Sequence, residues 1–203
     1  YLTKAFSRKE FESRLGIMIN EGKDGVFIYL DVDNFKSIND SCGHIGGDDY
    51  LIKIVENLKS EIRQSDIIGR LGGDEFGIIL NQCSIDDGLE IGSKILTRLR
   101  STKFNWGSRS YKLSVSIGIS KINGSVDRVL SEADAACYAA KFSGKSQVRV
   151  FNSGSQLKTR LDVNKVRDEI RSVISTQILT YALPILCVKP NNQNCVFNSN
   201  STK

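Results

Sequence analysis

Apolar residues recur with two different periods over the first 151 positions, and the switches between them mark the elements. FESRLGIMI sets Phe11, Leu15, Met18 and Ile19 on one stripe, the spacing of a helix lying on a core. VFIYLD then runs apolar from Val26 and ends on Asp31, the pattern of a fully buried strand. Leu51, Ile54, Val55, Leu58 and Ile62 return to helical spacing, which predicts a long amphipathic helix over about residues 47–63. In RLGGDEFGIIL, two short apolar runs flank Gly72, Gly73, Asp74 and Glu75, so those four residues are expected at the tip of a hairpin. A helix is predicted over about 85–99, with Ile95, Leu96 and Leu99 facing inward. Leu113, Val115, Ile117 and Ile119 alternate with smaller residues in YKLSVSIGIS, a half-buried strand. A third long helix over 129–141 and a closing strand, VRVF, follow. The order is helix, then β-α-β-β-α-β-α-β. It predicts an α+β fold with a ferredoxin-like βαββαβ core and added helices and strands.

That pattern is complete by about Phe151, which gives one full domain over 1–151. From Asn152 the composition changes. NSGSQ is linker-like, Val163, Val166, Ile170, Val173 and Ile174 mark one more helix, and Asn and Ser dominate from Asn191. Residues 152–203 are therefore expected to be a linker helix and an incomplete tail. With no initiator Met and a polar NSNSTK end, the chain is expected to be a piece of something longer.

Hydrophobic content of 40% and charged content of 25% are those of a globular protein. The net charge of +5 is spread along the chain; it suits a phosphate-bearing ligand and is too diffuse to argue for duplex nucleic acid, so no DNA partner is expected. Five cysteines, odd in number and without CxxC spacing, argue against a disulfide framework or a zinc site and for a reducing cytoplasm. The apolar stretch ILTYALPILCV is too short to span a bilayer, so any membrane association is expected through segments absent from this chain.

The candidate chemistry lies in the acids. Asp31 ends the first core strand, and Asp74 with Glu75 tops the hairpin. In a ferredoxin-like sheet the strands that carry them are neighbours, so the carboxylates converge at one edge. Clustered carboxylates repel one another, and a hard divalent cation relieves the repulsion. Mg2+ takes one or two carboxylates and completes its shell with water and phosphate oxygens. Gly72 and Gly73 present no side chain to block a phosphate chain along the backbone. The combination is that of enzymes in which a hydroxyl attacks a nucleoside triphosphate; the alternative is a solvated turn beside an acidic strand end. In DVDNFKSINDSCGHIGGDD, Lys36 stands one turn past the strand, placed for phosphate charge. Asn39 and Asp48 are the residue types that read a guanine edge, since a carboxylate accepts from both N1–H and the N2 amine. Each has a structural alternative, a solvated lysine or a helix-capping Asn. His44 reads as a loop histidine rather than a base.

Four segments, in order and spacing, resemble the GGDEF family of bacterial diguanylate cyclases. LTKAFSRKEF is similar to the family's LTGLxNRRxF, with Ser7 in place of Asn. DVDNFKSINDSCGHIGGD resembles its metal and guanine segment, RLGGDEF is the signature, and ADAACYAAKFSGKSQV resembles ADxAMYxAKxxGRNxV. The resemblance spans about residues 2–151 and implies a palm-type, nucleotidyl-cyclase-like fold that condenses two GTP to cyclic di-GMP. It implies that Asp31, Asp74 and the Val32 carbonyl hold a pair of Mg2+ or Mn2+ ions, with Asp74, Glu75 and Lys36 needed for turnover. It further implies that Asn39 and Asp48 read guanine. The backbone at Asn34 and Phe35, with Gly72, Gly73, Lys36, Lys141 and Lys145, would contact the triphosphate. Lys145 stands where Arg is more usual, which keeps the charge and loses the bidentate fork. RQSD, ending five residues before Gly72, matches the family's inhibitory RxxD, so Arg63 and Asp66 would bind the product; otherwise they are a helix-terminal Arg and a turn Asp. One domain holds one GTP, so the active species implied is a homodimer joined through the active-site face. The tail around ALPI, Ala182 to Ile185, resembles the start of an EAL phosphodiesterase domain, without the EAL triad. The competing expectation is a non-catalytic GTP- or cyclic di-GMP-binding regulatory domain of a GGDEF–EAL protein.

Overall fold

The computed structural model describes residues 2–152; the chain divides into two units, 1–152 and 153–203. The expected tail helix and the EAL-like stretch lie outside the described residues. Elements run in the order β1 (Phe6–Ser7), α1 (Arg8–Asn20), β2 (Gly25–Val32), α2 (Phe35–Glu61), β3 (Ile67–Arg70) and β4 (Glu75–Asn81). They continue with α3 (Ile85–Ser101), β5 (Lys103–Trp106), β6 (Arg109–Lys112), β7 (Val115–Lys121), α4 (Val126–Phe142) and β8 (Val148–Val150). Six strands form one sheet in the order β1-β3-β4-β2-β7-β8, and β5 and β6 pair separately. Its four central strands, β3-β4-β2-β7, are each antiparallel to their neighbours and have the ferredoxin-like order. β1 and β8 extend the two edges in parallel.

The uninterrupted apolar run of β2 follows from its central place, because alternate residues enter two different cores. Val26, Ile28 and Leu30 pack with Leu51, Ile54 and Leu58 of α2 and Ile95 and Leu99 of α3. Phe27 and Tyr29 pack with Phe11 and Leu15 of α1 and Val129 and Ala133 of α4. Asp31 continues the second series, so it faces α4. Pleat parity decides which helix can supply its counter-charge.

On that face α4 lies backbone-close to β7. A Cβ at Gly118 would overlap Ala133 O and Cys137 N, neither of which is the yielding end of a side chain. Gly118→Ala is expected to lower stability by about 1–3 kcal/mol, the usual range for overpacking. Chemical denaturation of the variant against wild type measures the difference.

Three features depart from the sequence pattern. The long helix begins at Phe35 instead of about Gly47 and bends at Gly43, where φ is 71° and ψ is 174°. The polar stretch before the bend buries Ile38 and carries almost no apolar stripe to signal a helix. The strand expected over YKLSVSIGIS is divided: Tyr111 and Lys112 belong to β6, and β7 starts at Val115. The β5–β6 hairpin and the two-residue β1 were not expected at all. Phe104 and Trp106 stack in that hairpin, and Phe104 meets Tyr50 of α2 edge-on. Such short strands form against a partner surface that local periodicity does not encode.

Candidate active site

The sheet register sets Asp31 of β2 directly opposite Glu75 of β4, and the Val32 N–H donates to Asp74 O at 3.1 Å. Glu75 is therefore the first residue of β4 rather than part of the tip. The tip itself is held tightly. Leu71 N–H donates to Glu75 O at 2.9 Å, and Arg70 Nε and Nη2 donate to Gly73 O at 3.1 and 2.6 Å, with a further bond from Nε to Gly72 O. Gly73 is open on its outer side, with nothing within 4 Å of a notional Cβ. Pairing of β2 with β4 thus brings the predicted acids to one edge.

Asp31 is the most constrained of the three. Its side chain is 13% exposed, Oδ2 ion-pairs with Lys141 Nζ, and Oδ1 is buried without a hydrogen-bond partner among the described residues. Burial pushes its carboxyl above the usual carboxylate range; Lys141 opposes the shift, and the Asp74 and Glu75 charges add to it. For Lys141, burial works against the ammonium and the Asp31 contact outweighs it, so the amine is raised. Tyr29 lies one pleat below Asp31, and burial, with the neighbouring Glu75 carboxylate adding to it, raises its phenol well above normal. Among the described residues no three His, Cys, Asp or Glu side chains form a ready cage for a metal. What is present is an oxygen-only donor set with one orphaned buried carboxylate oxygen. That fits a hard cation which draws its remaining ligands from water and phosphate.

The turn from β2 into α2 carries the next candidates. Asn34 is left-handed, with φ of 58°, and hands the chain into the helix at Phe35 and Lys36. Lys36 is exposed on that first turn, and the opening amides of a helix have no intrahelical acceptor, a ready anion site. Lys145 Nζ donates to Asn34 Oδ1 at 2.6 Å. The sequence reasoning missed the residue that fixes this turn. Asp33 is 5% exposed and accepts from Ser114 Oγ at 2.6 Å, Ser116 Oγ at 2.7 Å and Ser146 N–H at 3.1 Å. It ties β2, β7 and the α4–β8 loop together behind the acids. An acid directly before the turn was the available signal, but its serine partners stand more than 80 positions away.

The bend at Gly43 folds the second limb of α2 back so that Gly47 rests on Asn39. A Cβ at Gly47 would overlap Asn39 Oδ1, so glycine there is a condition for Asn39 to sit where it does. Asp48 follows immediately, exposed. Gly46 lies under Trp106, with 3.0 Å from a notional Cβ to the indole, which braces this limb with the β5–β6 hairpin. Asn39 is thereby packed on the residue directly before Asp48. His44 is exposed, but it lies within α2, directly after the bend at Gly43, rather than in a loop.

RQSD spans the turn between α2 and β3, on the far side of the signature strand. Asp66 closes it: Oδ2 accepts from Arg63 N–H at 2.8 Å and Oδ1 from Asn81 N–H at 3.3 Å. Both oxygens are thus engaged with backbone, though each keeps a second lone pair. The Arg63 side chain is exposed.

The chain is similar to known proteins in sequence and in fold. The family described as "Diguanylate cyclase, GGDEF domain" matches residues 1–147, so the chain belongs to the GGDEF-domain family. It is 35% identical over 157 residues to the probable diguanylate cyclase DgcE of Escherichia coli, covering 74% of this chain and 14% of DgcE. It is 28% identical over 191 residues to the cyclic di-GMP phosphodiesterase PdeB of Shewanella oneidensis, covering 91% of this chain and 22% of PdeB. The chain thus spans only 14% and 22% of the lengths of these two relatives. Among solved structures, the GGDEF domain of TpbB (YfiN) from Pseudomonas aeruginosa superposes with a TM-score of 0.73 at 28% identity, covering 78% of this chain and 97% of that one. The GGDEF domain of DgcB from Caulobacter crescentus, in complex with cyclic di-GMP, gives 0.71 at 26% identity, with 75% and 92% covered. The expected palm-type nucleotidyl-cyclase fold is therefore the fold of this chain, and GGDEF cyclases as a family require a divalent metal. No helix among the described residues is long and apolar enough to cross a membrane.

Proposed function

We propose that this chain is a catalytic diguanylate cyclase domain that condenses two GTP to cyclic di-GMP and two pyrophosphates. The observation that carries the reading is the placement of Asp31 against Glu75, with Asp74 bonded alongside and one Asp31 oxygen left without a partner. Each 3′-hydroxyl attacks the α-phosphorus of the other GTP; the new O–P bond forms as the bond to pyrophosphate breaks. Two Mg2+ ions, or Mn2+, held by Asp31, Asp74 and the Val32 carbonyl, would supply charge stabilisation for the pentavalent phosphorus. Glu75, opposite Asp31, adds to that negative edge. Asn39 and Asp48 read guanine, and Lys36, Lys145 and the amides after Asn34 take the triphosphate. Gly73 leaves the tip open to it, while at Gly72 the space a side chain would fill is held by the Glu75 carboxylate.

One domain presents one such edge, so turnover requires two domains face to face. Specific activity at fixed GTP and Mg2+ is therefore expected to rise with protein concentration until dimer saturates. Activity independent of concentration down to nanomolar protein contradicts the two-domain mechanism. A regulatory, non-catalytic role is a second reading, favoured by the match to the phosphodiesterase PdeB over 91% of the chain and by the EAL-like tail. GTP binding with no product at any protein concentration is its signature. Both readings place the domain in the cytosol, where GTP is found.

Product feedback is proposed at Arg63 and Asp66, supported by the exposed guanidinium and by the cyclic di-GMP bound to the related DgcB domain. Because Asp66 also closes its own turn, Arg63→Ala is the cleaner probe. It should bind cyclic di-GMP at least about tenfold more weakly, the minimum for a lost charged hydrogen bond. It should also run to higher product yield. Calorimetric titration of both proteins decides, and equal affinities would reduce RQSD to a turn.

A further inference from the structure

Lys141 closes the last turn of α4, and its ammonium meets Asp31 across to β2. Every other ion pair among the described residues leaves at least one side chain more than 40% exposed. Here the exposures are 34% for Lys141 and 13% for Asp31. A shielded pair of this kind is held by desolvated charge rather than by chance contact at a surface. Yet it is half finished. Oδ1 of the same carboxylate has no partner among the described residues, and Glu75 stands opposite in the register. A single ammonium supplies one point charge to an edge that carries three acids. It occupies the carboxylate that a divalent cation would need, without satisfying it.

The lysine also has little need to drag the backbone with it. The segment after α4 is pinned independently, by Ser146 N–H on Asp33 and by Lys145 on Asn34. Lys141 can swing through its own four-carbon stem while the loop stays in place.

We infer that Lys141 is an internal stand-in for the divalent cation in the nucleotide-free protein, and that metal and triphosphate displace it together. The metal takes Asp31, and the released ammonium turns to the phosphates that arrive with it. Asp31 exchanges a monovalent for a divalent partner, and Lys141 exchanges one carboxylate for the polyphosphate. No bond is made or broken. The consequence is coupling: metal alone must expel Lys141 into solvent, so it binds weakly until nucleotide gives the lysine a new partner. This rests on the metal-site reading proposed above.

The test is Mn2+ titration without nucleotide, followed by the electron paramagnetic resonance of free Mn2+. Removing a competing unit charge should strengthen metal binding, so K141M is expected to bind Mn2+ at least about tenfold more tightly than wild type. The same variant should bind a non-hydrolysable GTP analogue with Mn2+ more weakly than wild type does. K141Q, read in the same way, serves if K141M fails to fold. Mn2+ affinity in the folded Lys141 variant that is equal to or below wild type overturns the inference and leaves the metal site standing, provided Asp31→Ala abolishes the binding. Wild-type Mn2+ affinity in Asp31→Ala overturns the metal-site reading and the inference with it.

Discussion

Asp31→Ala and Asp74→Ala are expected to fold and to make no measurable cyclic di-GMP. The two halves of this result have separate causes. Removing a pre-organised charge from such a site raises the barrier by about 3 kcal/mol or more, roughly a hundredfold in rate. Losing the metal ligand as well takes turnover below detection. Stability should move little, and for Asp31 in the opposite direction. Its carboxyl is raised above the ordinary range by burial, with one oxygen orphaned. A carboxyl whose folded pKa is raised holds its proton more tightly folded than unfolded, so above that pKa its ionised form opposes folding. Asp31→Ala removes that penalty, and Lys141, a third exposed, can rehydrate. Thermal melts equal to or above wild type, alongside lost activity, are the expected pattern. Near-normal turnover in either variant would mean that the acids gathered at this edge are not the metal ligands.

Guanine selectivity is the second large effect. A base that cannot donate to Asp48 leaves its carboxylate unpaired, and sites built this way discriminate by roughly 10⁴-fold. ATP should compete poorly with GTP. Asp48→Ser forfeits two charge-assisted bonds, about 3 kcal/mol together, so GTP use should fall roughly a hundredfold and discrimination should relax. Because Asp48 is exposed and follows Gly47, the substitution should not disturb the packing of Asn39 on that glycine. Competition of ATP against GTP in both proteins measures the change. Unchanged selectivity would place the base somewhere other than Asn39 and Asp48.

Much of this was legible in the chain because β2 is central. An apolar run buried on both faces, ending in an acid and followed by a glycine-rich acidic hairpin, defines adjacent strands and hence one acidic edge. The register that sets Asp31 opposite Glu75 follows from the same hydrophobic pattern. What was not legible depends on distant partners. Asp33 looks like any turn acid until Ser114, Ser116 and Ser146 close on it. Asn39 looks like a capping residue until the bend at Gly43 brings Gly47 against it. Tyr29 looks like one more apolar core residue, and only the pleat brings its phenol under the influence of Glu75. Lys141 is implied as a phosphate contact by the family resemblance alone. Its pairing with Asp31 needed α4 seated on the Gly118 side of the sheet.

The central claim is that this acidic edge turns GTP into a cyclic dinucleotide. Incubation of the protein, at a concentration that saturates its specific activity, with equal GTP and ATP and excess Mg2+, with products identified by mass, tests it most directly. Cyclic di-GMP accompanied by two pyrophosphates per molecule, and absent when Mg2+ is chelated, is the predicted result. Unconsumed GTP, product formed without divalent metal, or a cyclic product built mainly from ATP would contradict the account.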